Sequence, residues 1–446
     1  MLTFFLILFL ARKLNPVGFG ELAILMTMAS MFALFLDLGS SFIVVREIAS
    51  KSFNADEVLY STLFTKSVLG IITYVSLITL AHLMGYNEVI IKASYLFALG
   101  QIFESFLMTV VKYYEGQEKM AISSALQIVE RIIIFASIFV LYNSKSLITI
   151  YGFSYIISNT SALILGLLLS RQLFCLKKNI KFYIIKKILF YSLPFIIFNF
   201  FSVLYNRVDI FIISHYYNEY QVGLYRACFQ LIESIYFISL GLNVTLLPFF
   251  ARRFKEHKED TKNKYAIISK ELFLLGIVLT LIIISNSVRV LDLLYKYKYS
   301  EGSLTFSILS ISIPFYFMSN VMGNLLIAIG KEKIQVSSML ISTLIKIVLL
   351  VFLIKYLGIT GAAISATIAE ILSFSIQFWG TSSNGFKLNL LRNDYVKVVI
   401  LLGYAICVFY LKSLLISFIL VIPVSYYVFH DTISFLKKYL PKEANA

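Results

Sequence analysis

The sequence predicts an all-α polytopic membrane protein: two parallel six-helix lobes plus a C-terminal helical hairpin, about 14 transmembrane helices with the first one truncated. Three observations carry this fold class. Of 446 residues, 59% are hydrophobic and only 14% charged, with mean hydropathy +0.85, whereas soluble domains carry about 25% charged residues. Apolar runs long enough to cross ~30 Å of hydrocarbon follow one another with short breaks, which selects helices over a β-barrel. Finally, the sequence repeats itself. GQEKMAISSAL from Gly116 returns as GKEKIQVSSML from Gly330, and NPVGFG from Asn15 is echoed by NEYQVG from Asn218. The offsets, 214 and 203 positions, are nearly equal, so the chain is a duplicated unit of roughly two hundred residues. In a chain this hydrophobic, duplication points first to a transporter.

The elements follow in order. The opening MLTFFLILFLARKLN holds about ten apolar residues, too few to span a bilayer, and is expected to be the trailing part of a helix that starts upstream. Full spans are expected at 22–45, 58–81, 89–111, 121–142 and 147–170 in the first lobe. The second lobe is expected to hold 188–213, 222–250, 266–290, 304–329, 334–356 and 361–380. A shorter pair, 398–411 and 414–429, forms the hairpin. Domains are therefore read as 1–170, a connector 171–187, 188–382, and a hairpin with tail at 383–446.

Orientation follows from the loops. The connector carries Arg171, Lys177, Lys178, Lys181, Lys186 and Lys187 without an acid. The 251–264 loop adds Arg252, Arg253, Lys255, Lys258, Lys262 and Lys264, and the tail holds Lys437, Lys438 and Lys442. Counted alternately, these stretches share one side, while loops 143–146 and 357–360 opposite are short and poor in charge. The positive-inside rule makes the basic side and both termini cytoplasmic. The net charge of +15 is thus a topology signal, not a nucleic-acid surface. An even number of helices per unit makes the repeats parallel, with both G-x-E-K sequences at equivalent cytoplasmic turns whose Gly ends one helix.

Ionisable residues inside spans cost about 2.5–3.5 kcal/mol each, so they face a cavity or a partner. Asp37, Lys66, Glu104, Glu130, Arg131, Arg207, Asp209, Glu233, Lys270, Glu271, Lys346 and Glu370 all fall within or at the edges of spans. Several belong to polar stripes: Ser94, Gln101, Glu104 and Ser105; Asn199, Ser202, Asn206 and Asp209; Glu370, Ser373 and Gln377. Arg207 and Asp209 stand two apart and cannot face each other on a helix. Such stripes predict a hydrated cavity in which Lys66, Arg131 and Arg207 hold an anion. Asp37, Glu104, Glu130, Asp209 and Glu370 could carry a coupling H+ or Na+. Lys270, Glu271 and Lys346 are read as interfacial or paired charges.

Other chemistries are excluded. Cys175, Cys228 and Cys407 are dispersed without CxxC or nearby His, so neither a disulfide framework nor a metal site is expected. There is no phosphate-binding G-x-x-x-x-G-K-[ST], no HExxH and no G-x-S-x-G, and no loop could house a catalytic domain. No cofactor is expected, and the chain is read as a transporter, not an enzyme.

LARKLNPVGFGELAIL (10–25), FLDLGSSFIVVREIA (35–49), YNRVDIFIISHYYNEYQVGLY (205–225) and YLGITGAAISATIAEI (356–371) together resemble the O-antigen and polysaccharide repeat-unit flippases (Wzx-type) of the multidrug/oligosaccharidyl-lipid/polysaccharide exporter superfamily. The resemblance implies a two-lobed, V-shaped carrier working by alternating access in a bacterial cytoplasmic membrane. Its substrate would be an undecaprenyl-pyrophosphate-linked oligosaccharide. Its partners would be membrane lipid, a polysaccharide polymerase and assembly proteins, with no nucleic acid. Arg12 and Arg46 fall at family arginines and join the expected substrate-binding set, Asp37 lies in the family's DLG, and Arg207 with Asp209 matches its R-x-D. The chain departs from the pattern in its short first helix and in LNPVGFG, which lacks the usual acidic pair. The competing reading is a drug or small-metabolite/cation antiporter of the same superfamily, with a more acidic or aromatic pocket.

Overall fold

A computed structural model describes residues 2–141, 146–169 and 181–387. The expected hairpin and tail, most of the basic connector, Cys175 and Cys407 lie outside the described residues. Every long element described is a helix: α1 (Leu2–Lys13), α2 (Pro16–Asp37), α3 (Ser40–Ala49), α4 (Ala55–Leu83), α5 (Glu88–Gly116), α6 (Met120–Leu141) and α7 (Leu147–Leu169). Then come α8 (Phe182–Tyr216), α9 (Glu219–Glu256), α10 (Lys258–Tyr295), α11 (Ser303–Ser310), α12 (Ser312–Ala328) and α13 (Glu332–Ser383). Among the described residues, 9 helical segments are long and apolar enough to cross a membrane. The protein is therefore a multi-pass membrane protein of all-α fold. Its surface agrees: Ile71, Val75, Val140 and Val348 are exposed, while Lys66, Glu130 and Glu370 are buried. That is the pattern of a chain solvated by lipid.

The chain divides into two compact units, Met1–Gly223 and Leu224–Ala446. In the first, α5 is the axis and packs on α2, α3, α4, α6 and α7, while α8 lies against α2, α3 and α4. Close approach needs small residues: a Cβ on Gly100 would come within 2.4 Å of the Tyr155 ring on α7. In the second unit, α12 packs on α10 and α13, with α11 against both. The 52-residue α13 folds back on itself at Gly358, whose φ of 57° and ψ of −139° are non-helical. Gln377 then donates to Ser338 across the resulting pair of arms.

Two expected spans are broken. The 22–45 span instead starts at Pro16, ends at Asp37 and resumes as α3 after Leu38 and Gly39, both left-handed at φ 43° and 70°. Asp37 stabilises the break by accepting from Ser40 and Ser41 at the start of α3. The 304–329 span is likewise split at Ile311 into α11 and α12. Both breaks fall at short polar interruptions, Asp37 with Gly39, Ser40 and Ser41 in one and Ser310 and Ser312 in the other, that a twenty-residue hydropathy window averages away.

Both repeats have structural meaning. Asn15 caps α2 by accepting from the Gly18 N–H at 2.8 Å, and Asn218 accepts from the Gln221 N–H at 3.2 Å as α9 begins. Gly20 and Gly223, five residues on in each copy, pack reciprocally. A Cβ on Gly20 would meet the Glu219 carbonyl oxygen at 1.8 Å, and one on Gly223 would meet that of Pro16 at 1.9 Å. The G-x-E-K turns differ in detail. Gly330 takes the left-handed position (φ 71°) in the second, but Gly116 is still helical in the first, where Glu118 turns left-handed (φ 63°).

Candidate functional site

The first unit encloses a cavity of about 370 Å³ whose walls come from five helices. From α2 it takes small residues, Ala29, Ser30 and Ala33, which leave room. From α5 come Phe97, Gln101 and Glu104, one face of a helix at spacings of four and three. Against them α7 contributes Tyr151 and Tyr155, also four apart, while α6 adds Arg131 and α8 adds Arg207. Sequence stripes therefore converge here because each helix turns its costly polar residues away from lipid.

The polar groups are organised. Glu104 Oε2 accepts from Gln101 Nε2 at 2.9 Å and from the Tyr155 hydroxyl, which also donates to Gln101 Oε1 at 3.1 Å. Glu130, itself buried, forms an ion pair with Arg131, whose Nε lies 3.0 Å from its Oε2. The rings of Phe97 and Tyr151 stack with centroids 5.6 Å apart and planes 15° apart, and Tyr151 stacks on Tyr155 at 6.3 Å. The result is a slot with cations at one part of its wall and an aromatic, hydrogen-bonding surface at another.

Of the expected substrate-binding residues, the structure brings Arg131 and Arg207 into this cavity, and Glu104 from the ion-coupling set joins them. The others lie elsewhere. Lys66 is buried in an ion pair with Asp37 at 3.0 Å and donates to the Ser105 carbonyl at 3.3 Å. Arg46 pairs with Glu47 at 2.8 Å and stacks over Tyr191 at 5.1 Å. Arg12 sits in the last turn of α1. Asp209 is buried and, two residues from Arg207, does not line the cavity. Glu370 belongs to the second unit, buried on α13.

The two ends of the first unit differ. At one end Lys187 bridges α8 to Glu47 at 3.0 Å and Lys181 to Glu57 at 2.9 Å. Burial pushes the Glu47 carboxyl up, but the hydrogen bonds and charges of Arg46 and Lys187 prevail and hold it below the usual range. At the other end Asn87 Nδ2 donates to Glu21 at 2.7 Å and to Glu219 at 3.2 Å, and Tyr86 hydrogen-bonds Ser214 at 2.7 Å. Loops 50–54, 117–119 and the start of α8 thus share a face, as alternate counting of helices requires.

Several residues escaped the sequence reading. Phe97, Tyr151 and Tyr155 were hidden among 40 Phe and 29 Tyr, although their four-residue spacing was a signal. In the second unit Arg226 binds Glu233 at 2.9 Å and Gln230 at 2.6 Å, an i, i+4, i+7 stripe. Nearby, Tyr236 stacks on Tyr316 with centroids 3.7 Å apart and hydrogen-bonds Ser312 at 2.5 Å.

The chain as a whole is similar to known proteins. The family model described as "Polysaccharide biosynthesis protein" matches residues 1–254, and the MatE model matches residues 194–352. A Shigella flexneri protein provisionally named an O-antigen transporter is 25% identical over 403 residues, covering 83% of this chain and 91% of its own. The inward-facing structure of a multidrug resistance MATE family transporter of the MOP superfamily superimposes with a TM-score of 0.71 at 14% identity, over 86% of this chain and 94% of that one. The inward closed structure of the lipid II flippase MurJ gives a TM-score of 0.67 at 14% identity, over 99% and 100%. The fold is the one these transporters share.

Proposed function

The chain belongs to the polysaccharide biosynthesis protein family, and from that premise we propose that it is a flippase for lipid-linked oligosaccharide. It carries a repeat unit, joined through pyrophosphate to undecaprenyl, to the outer leaflet of a bacterial cytoplasmic membrane by alternating access. The observation that supports this best is the charge of the cavity in the first unit. Its charged lining residues are Arg131, Arg207 and Glu104. A pyrophosphate needs fixed cations, and the planar guanidinium fork suits phosphate oxygens in a weakly solvated site. The polyprenyl tail stays in lipid while the glycan crosses through the hydrated interior.

Positive-inside bias supports cytoplasmic termini. Coupling to H+ or Na+ would draw on the membrane carboxylates Glu104, Glu130, Asp37 and Asp209, or on Glu370 in the second unit. A polysaccharide polymerase is the natural downstream partner, since the flipped unit is its substrate. The MatE match supports a second reading, a drug or small-metabolite antiporter. Two arginines on one cavity repel the cations such carriers commonly take, which favours the anionic substrate.

Complementation tests the proposal. A strain lacking its own repeat-unit flippase receives this gene with a matching glycan cluster. Surface polysaccharide and inner-leaflet lipid-linked intermediates are then scored. The wild type is expected to restore surface glycan, as is Lys262→Ala, whose lysine pairs with Glu259 at 2.6 Å in a loop-proximal turn. Arg131→Ala and Arg207→Ala, at normal membrane levels, should leave intermediates stranded. Normal export by both arginine variants would sink the cation site.

A further inference from the structure

The arginines account for an anion, but they leave the rest of the cavity lining unexplained. Three aromatic rings, Phe97, Tyr151 and Tyr155, line one cavity with Gln101 and Glu104. A polyprenyl chain would need no amide or carboxylate beside it, and burying such groups against hydrocarbon costs free energy. A planar cation would suit the rings but not the neighbouring Arg131 and Arg207. A sugar ring suits both halves of the wall: its C–H face is apolar and stacks on aromatics, while its edge carries hydroxyls that donate and accept.

We propose that Tyr151, Tyr155, Gln101 and Glu104 form a sugar-ring subsite that reads the glycan next to the pyrophosphate. The inference rests on the flippase reading and gives it a specificity device. Glu104 is oriented by its two donors on Oε2, Gln101 and Tyr155. Its Oε1 has no hydrogen-bond partner among the described residues and can accept from a hydroxyl. Arg131 meets Glu130 through Nε, and among the described residues its terminal nitrogens are left for a hydroxyl or a phosphate oxygen. Gly100 is a positioning residue. Its missing side chain lets the Tyr155 ring approach α5, where a Cβ would stand 2.4 Å from Cδ1. The volume of about 370 Å³ lies at the lower end of small-molecule sites, roughly 300–1,000 Å³. The subsite therefore reads a part of the repeat unit and not the whole.

The test is calorimetric, on the purified full chain in detergent. The probes are farnesyl pyrophosphate and its esters with glucose, galactose, N-acetylglucosamine and N-acetylgalactosamine. For the wild type, at least one sugar ester should bind roughly tenfold tighter than bare farnesyl pyrophosphate, the scale of one aromatic stack with a hydrogen bond. In Tyr155→Leu and in the isosteric Glu104→Gln, that ratio should fall toward one. Gly100→Ala should lower it as well, by displacing the ring without removing it. If Tyr155→Leu does not fold, Glu104→Gln still decides. Equal binding of every probe by the wild type overturns the subsite and leaves the flippase reading standing. Failure of all probes to bind overturns the flippase reading itself. Retained discrimination in Glu104→Gln and Gly100→Ala overturns the assignment to these residues.

Discussion

Replacing Gly20 by Ala tests the contact between the two copies of the Asn-capped helix start. The added Cβ would stand 1.8 Å from the Glu219 carbonyl oxygen and 2.7 Å from its carbon. Carbon and oxygen in the closest favourable contacts are about 3.3–3.6 Å apart, so the first turns of α2 and α9 must separate by about 1.5 Å. The obstacle is backbone, which cannot swing aside, and such overpacking costs about 1–3 kcal/mol. The same displacement pulls Glu219 or Glu21 away from Asn87, which now bridges them at 3.2 and 2.7 Å. Losing one charge-assisted bond adds about 1.5–3 kcal/mol. A cost of several kcal/mol should lower the thermal midpoint in detergent by roughly 5–20 °C, at about 2–4 °C per kcal/mol. Gly223→Ala should do the same, because its Cβ would meet the Pro16 carbonyl oxygen at 1.9 Å. The decisive sample is the double variant. The separation forced by one Cβ makes room for the other, so the two losses should be clearly less than additive. Strict additivity would refute the reciprocal contact.

Other outcomes follow from the same contacts. Lys66→Met leaves Asp37 without its cation at the α2–α3 break and should cost about 3–5 kcal/mol. Lys66→Met/Asp37→Asn should recover much of that loss in denaturation, and a single variant as stable as the double would refute the pairing. Glu47 has a folded-state pKa held below its unfolded value, near 4.3. Its contribution is therefore complete above that value and lost as pH falls through the lowered one. Wild type and Glu47→Gln should differ in thermal midpoint at pH 7 and converge in strongly acidic buffer; a constant gap to pH 2 would contradict this.

The spans were legible because hydropathy integrates over twenty residues, and the helix starts at Asn15 and Asn218 because a side-chain cap is a local device. Breaks were not, since the polar residues around Leu38–Gly39 and Ile311 are too few to lower a hydropathy average taken over a whole span. Gly39 and Pro314 were the available signals: the first tolerates the left-handed backbone, and the second suits the first turn of a new helix. For the cavity, the expense of charge in lipid singles out Glu104, Arg131 and Arg207. That argument says a buried charge has a purpose without saying which, and Lys66 met Asp37 from 29 residues away. Pairing of that kind is tertiary, so the sequence could not separate the ion pair from a ligand site.

The duplication also explains why the cavity lies where it does. The reciprocal glycines align α2 with α9 at an offset of 203 positions, which matches Ala29, Ser30 and Ala33 with Ile232, Glu233 and Tyr236. In the first copy these positions are small and line open space. In the second they carry larger side chains with partners of their own: Glu233 binds Arg226, and Tyr236 stacks on Tyr316. One helix thus serves two purposes through side-chain volume alone, and importing the second copy's residue into the first should close the cavity. Ala33→Tyr places a ring into the 370 Å³ space without crowding a packed core, so the thermal midpoint should fall little, while surface glycan is lost in the complementation strain. If Ala33→Tyr exports normally at normal membrane levels, substrate does not pass through this cavity, and the charge argument built on Arg131 and Arg207 fails with it.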